Sequence, residues 1–180
     1  MEPVYNLYFA TLYNPRIYLE HEFLSLTQIV EPFHQHAYGG EYLSDEDYKE
    51  TYDALVNVIP DWIEKDFRES LKTRLKYGNE FSLRKRLRDI CNEYWEILSK
   101  FIENKDAFID WVVNTRNYLV HHDEDLKELA ASPRDLFRLS QRLRILVEIC
   151  LLTELGFTLE EVKELFATHR RYRHESTLVE

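Results

Sequence analysis

Seven consecutive residues, Arg116-Asn117-Tyr118-Leu119-Val120-His121-His122, hold the densest chemistry in the chain. A guanidinium neutralises a phosphate, an amide orients it, and an imidazole, titrating near pH ~6.5, moves a proton at neutrality. A plainer alternative stands beside this one. Arg116 could pair with an acid while both histidines close a helix end, where cations are favoured in any protein.

The residues before the cluster read as the helix that must position it. Asn104 is an N-cap, and Phe108, Trp111/Val112, Thr115 and Leu119 recur at helical spacing. The acid-rich turn His122-Asp123-Glu124-Asp125 follows. Ser132-Pro133 then gives a cap plus a proline at the first helical position, opening a helix through Leu136, Leu139, Leu143, Leu146/Val147, Cys150 and Leu151 to Gly156. Thr158 with Glu161 forms a capping box for a short last helix ending in His169-Arg170-Arg171-Tyr172-Arg173-His174, a run expected to complement the helix end and fray.

Upstream, Val4–Tyr13 is rich in β-formers and makes a short N-terminal strand candidate. Pro15 opens a helical pattern through Leu19, Phe23, Leu26, Ile29/Val30 and Phe33, which Pro32 should kink or end. Gly39-Gly40 is a loop. Ser44 caps a helix expected to bury Tyr48, Tyr52, Leu55 and Val56, and residues 61–76 form another on Trp62, Ile63, Phe67, Leu71 and Leu75. Ser82 starts a long stripe from Leu83 to Phe101. The fold class is therefore all-α: a bundle of about five to seven helices with that one possible strand.

Composition narrows the function. With 180 residues, 44% hydrophobic and 31% charged, the chain suits one domain with a sizeable core. Four glycines and five prolines are too few for a turn-rich β fold. No uncharged apolar run approaches membrane-spanning length, and the first residues carry no secretion signal, so a cytoplasmic protein with no membrane role is expected. Cys91 and Cys150 sit in apolar stripes as buried free thiols of a reducing compartment. A net charge of −10 excludes sequence-blind affinity for nucleic acid, and residues 41–69 concentrate it with ten acids against three bases. Local phosphate binding remains open.

Three basic groups bear on that. Arg84, Lys85, Arg86 and Arg88 crowd a helix start, either answering the acidic 41–69 segment or serving another purpose. Arg134, Arg138 and Arg142 share one helix face, where they either track phosphates or pair with Asp123, Glu124 and Asp125. The terminal basic run is the third. His21, His34 and His36 lack metal-ligand spacing, so neither a metal nor another cofactor is expected.

An apolar helix ending in Thr-Arg-Asn-Tyr-Leu-Val-His, then an acidic turn and a long amphipathic helix, resembles the HEPN family, in particular its ApeA-like domains. Arg116, Asn117 and His121 fit the R-N-x-x-x-H form. The early Leu-Glu-His-Glu-Phe-Leu-Ser-Leu segment with Phe33-His34, the acidic middle and the closing Gly-Phe-Thr-Leu-Glu-Glu are also similar, so the resemblance covers roughly residues 16–172. It implies a helical bundle over residues 15–174, with 1–14 as a stub of the N-terminal region that larger members carry and 175–180 as a tail. It also implies a homodimer acting on RNA as a metal-independent ribonuclease in defence, toxin–antitoxin or stress systems, with a cognate antitoxin as a further partner. Some members are inactive and bind only nucleotides or proteins.

On that resemblance Arg116, Asn117 and His121 are the catalytic candidates, with His122, Arg134, Arg138 and Arg142 contacting substrate. At about 100° per residue, Asn117 and His121 share a face while Arg116 lies some 140° from His121, and His122 falls back towards the apolar stripe. A straight helix therefore needs either local unwinding near Val120 or a two-fold partner to complete the site. The stripe also suggests a structural hydrogen bond for His122. Two functions follow: an endoribonuclease using His121 for proton transfer and Arg116 for phosphorane charge, or a non-catalytic helical module that binds a partner.

Overall fold

Val4, Tyr8 and Thr11 are spaced by four and three and are all buried, and the segment that holds them is a helix, α1 (Glu2–Tyr13), not the expected strand. Pro3 stands in its first turn, where its missing N–H costs no hydrogen bond. The β-leaning composition yields because a helix puts those three side chains on one buried face.

The computed structural model describes residues 1–14 and 17–172. The expected helix start at Pro15 lies outside them, as do Arg173 and His174. The remaining elements are α2 (Leu19–Tyr38), α3 (Asp45–Asn57), α4 (Lys65–Lys76), α5 (Leu83–Glu93), α6 (Trp95–Leu98), α7 (Lys105–His121), the 3₁₀ turn η1 (Glu124–Leu126), α8 (Pro133–Glu154) and α9 (Leu159–Thr168). The fold is all-α, with no strand among the described residues. It holds more helices than expected, because α1 is helical and the Leu83–Phe101 stripe breaks at Tyr94 into α5 and α6.

Contacts divide the chain into two compact units, Met1–Ala37 with the chain from Leu83 onward, and Tyr38–Ser82. In the first, one core gathers Phe23, Leu26, Ile29 and Phe33 of α2 with apolar residues of α5 to α9, among them Leu87, Ile90, Val112, Leu139, Leu143 and Phe166. Pro32 does not end α2, which continues to Tyr38. The turn beyond it is held by burial of Phe33 and by His34, whose Nε2 lies 3.0 Å from Asp89 Oδ2 on α5. Lys85 Nζ donates to both Asp89 oxygens at 2.5 Å. Asp89 is partly buried, which raises its pKa, but these two hydrogen bonds outweigh that and hold it below the ordinary carboxylate value.

The caps read from sequence at Asn104, Ser132 and Thr158 are present. Asn104 Oδ1 accepts from Ala107 N at 2.9 Å, Ser132 Oγ from Asp135 N at 3.3 Å, and Thr158 and Glu161 form both halves of the capping box. Gly156, at φ 94°, follows α8 in the left-handed region that glycine adopts without strain.

In the second unit the Ser44 cap is present, with Oγ accepting from Asp47 N at 3.2 Å. Neither α3 nor α4 contains a buried residue: Tyr48, Tyr52 and Val56 are half-buried and Leu55 and Phe67 are exposed, while Trp62, in the turn before α4, is 84% exposed. The second expected helix starts at Lys65 instead of residue 61. Two short helices have too little chain around them to close over both apolar stripes. Polar ties do the joining: the Tyr48 hydroxyl donates to the Leu75 carbonyl, and buried Asn79 bonds both the N–H and the C=O of Leu43.

Candidate functional site

α7 is an unbroken helix to His121, so the local unwinding near Val120 does not occur. It ends at His122, which adopts φ 52° and donates its backbone N–H to the Tyr118 carbonyl at 2.8 Å. His122 is exposed. Its left-handed backbone turns it out of the helical progression, which is why it does not return to the Phe108–Thr115–Leu119 stripe as its spacing suggested. The polar tie at this level is made by Thr115, buried in the stripe, whose Oγ1 accepts from Ala131 N at 2.9 Å and fixes the entry to α8.

Arg116 is half-buried, and its Nη1 donates to Asn117 Oδ1 at 3.1 Å. The guanidinium is thereby tied to Asn117, which shares a helix face with His121 one turn later. Among the described residues no carboxylate pairs with Arg116, so the plainer reading of an acid-paired arginine has no partner here. His121 is exposed at the helix end. The acids of the following turn are used locally: Asp123 caps η1 through Asp125 N at 3.1 Å, and Glu124 pairs with Lys127 at 3.0 Å.

Those acids are therefore not paired with the arginine row of α8. Arg134 and Arg138 are exposed and Arg142 is half-buried. Because α8 runs back along α7, Arg142 faces the early turns of α7 and lines a groove with Asn104, Trp111, Asn114 and Leu129. Three of the crowded basic residues of α5 have partners within the first unit. Arg84 pairs with Asp110 on α7, Lys85 with Asp89, and buried Arg86 donates to the Glu31 carbonyl of α2 at 3.3 Å.

The terminal basic run does not fray as expected through Tyr172. Arg171 Nη1 donates to Glu148 Oε1 at 3.0 Å, and the Tyr172 hydroxyl donates to Oε2 at 2.9 Å. Tyr8 of α1 donates to the same Oε1 at 2.6 Å. Burial, then the charge of Glu148, pushes both phenols well above their ordinary pKa. Glu148 lies among apolar residues of α8 and gave no sequence signal beyond being an acid in a hydrophobic stripe.

His36 Nε2 lies 3.2 Å from Glu154 Oε1, and His34 is held by Asp89. Among the described residues no three His, Cys, Asp or Glu side chains converge as a metal site would need. Cys91 and Cys150 are free and buried, and burial pushes the Cys91 thiol up to about 12. No described helix is long and apolar enough to cross a membrane.

Residues 24–161 match the family model described as Apea-like HEPN, well over half of the 180 residues. No curated protein and no solved structure matches the chain.

Proposed function

Because this chain belongs to the ApeA-like HEPN family, we propose that it is a metal-independent endoribonuclease of a defence, toxin–antitoxin or stress system, with Arg116, Asn117 and His121 as its catalytic set. HEPN domains are frequently ribonucleases. The observation that carries the reading is the Arg116 guanidinium, drawn to Asn117 at 3.1 Å and without an acid partner among the described residues, beside an exposed imidazole one turn on. Such a cation is available for the charge that develops on a phosphorane. Asn117 orients the guanidinium. His121 takes or returns the proton of the 2′-hydroxyl or the leaving oxygen, work that an imidazole does without a metal.

A two-fold partner completes the site in this proposal, since α7 stays regular to its last residue and the backbone offset of Arg116 from His121 persists. Exposed Val120 beside the motif and exposed Phe137 on α8 supply apolar area for a second copy to cover. RNA is the substrate, and the exposed Arg134 and Arg138 add phosphate contacts along α8.

The test is single-turnover RNA cleavage in excess EDTA, with product ends identified and a melting curve for each variant. Arg116→Ala and His121→Ala should each lower the rate by about 10²–10⁴-fold with the melting temperature retained. His122→Ala should stay active. Full activity in His121→Ala refutes the assignment, and a wild-type protein that binds RNA without cutting it points to the inactive binding module.

A further inference from the structure

The surface of α7 that carries Asn117 and His121 continues towards the start of the helix through Asn114. Asn114 and His121 are seven residues apart, so they lie within about 20° of each other around the helix and about 10 Å apart along it. At that level α7, the Ile102–Asn104 turn, Leu129 and Arg142 enclose a groove of about 560 Å³. Trp111 is half-buried in its wall. The side chains of Asn114 and Arg142 make no hydrogen bond or ion pair among the described residues, although both are half-buried. Asp110, the carboxylate that α7 contributes to the lining, is already paired with Arg84 from α5, while Glu103 sits exposed at the edge. The groove therefore offers an indole, an uncommitted amide and an uncommitted guanidinium, with one of its two lining carboxylates already paired.

We propose that this groove is a nucleotide subsite that takes the base next to the scissile phosphate, stacking it on Trp111, reading its edge with Asn114 and holding its phosphate with Arg142. The assignment rests on the ribonuclease reading above for the position of the scissile phosphate. Three observations select this occupant. Aromatic side chains accept any base by stacking, and Arg142 matches the backbone charge. An amide with free donor and acceptor atoms suits a base edge. The separation from His121 is one that the neighbouring nucleotide of a single strand spans. The three arginines of α8 consequently have different roles: Arg142 sits inside the subsite, whereas Arg134 and Arg138 stay on the open surface.

The probe is a set of four 2′-O-methyl RNA ten-mers, one for each base, which cannot be cleaved through the 2′-oxygen. Binding to the full chain is read by fluorescence anisotropy at low salt. The wild type should bind at least one of them, and Trp111→Ala and Arg142→Ala should each weaken that binding by about tenfold or more. Trp111→Phe should recover most of it, which separates stacking from a folding defect. Arg138→Ala should weaken all four ten-mers by the same small factor. Asn114→Ala should change the preference among the four bases. Binding of none of the ten-mers overturns the subsite, and so does binding that Trp111→Ala and Arg142→Ala leave intact; the second result assigns the groove to a protein partner. Groove-dependent binding by a chain that never cleaves RNA sinks the ribonuclease reading and leaves the nucleotide subsite standing, so the two failures are distinguishable.

Discussion

Two arginine clusters in this molecule look alike in sequence and differ in what surrounds them. Arg171 sits within a basic, histidine-flanked run, and its guanidinium meets Glu148, a carboxylate that also accepts from Tyr8 and Tyr172. Glu148 is 6% exposed and its oxygens are satisfied by partners from both ends of the described chain. Arg116 also stands close to histidines, but its one hydrogen-bond partner among the described residues is an amide. A buried charge that is fully hydrogen-bonded holds elements together, whereas a cation left with a neutral partner keeps its field for a ligand. Partner chemistry, more than residue type, separates the structural cluster from the candidate site.

Giving Arg116 the acid that Arg171 already has should produce the largest effect. In Asn117→Asp the guanidinium would be neutralised in place, and RNA cleavage should fall by about 10²-fold or more. Its stability should shift by less than about 1 kcal/mol, because the new pair is partly exposed and its carboxylate lies near a helix C-terminus. Rate and melting temperature measured together check both halves; an active Asn117→Asp would break the contrast.

The converse change is Glu148→Gln, which leaves Arg171 without its charge partner. Stability should drop by about 1.5–3 kcal/mol, towards the lower end because Arg171 is itself 37% exposed, as read by denaturant unfolding. Cleavage per folded molecule should not change.

The two tyrosines give the Glu148 cluster a pH signature. Burial and the Glu148 charge raise both phenols, so below pH ~10 folded and unfolded chains alike keep these protons and the pair adds no slope. Above it the unfolded chain ionises first, and stability should fall by up to about 1.4 kcal/mol per pH unit for each tyrosine. Tyr8→Phe should flatten that alkaline slope by one tyrosine's share, whatever it does to stability at neutrality. An unchanged slope would separate Tyr8 from the cluster.

The smallest effect concerns the two adjacent histidines. His122 holds a left-handed backbone with its side chain exposed, so His122→Gly should stabilise the fold by roughly 0.5–1 kcal/mol and leave cleavage intact. Loss of activity in this variant would move the catalytic role from His121 to His122.

What the sequence determined alone was local. Caps at Ser44, Asn104, Ser132 and Thr158 were readable because each bond spans about three residues, and the stripes of α7 and α8 because burial repeats with the helical period. The motif Arg116-Asn117-x-x-x-His121 was legible for the same reason, as a set of neighbours on one helix. Tertiary structure decided the rest. Val4–Tyr13 became a helix because Tyr8 reaches Glu148, 140 positions away. The exposure of Trp62, in the turn before α4, and of Phe67 within it depends on how little chain surrounds them, which amphipathic spacing does not report. Whether Arg84, Arg116, Arg142 and Arg171 were structural or available turned on which carboxylates the fold carried within reach, a non-local quantity that no spacing rule contains.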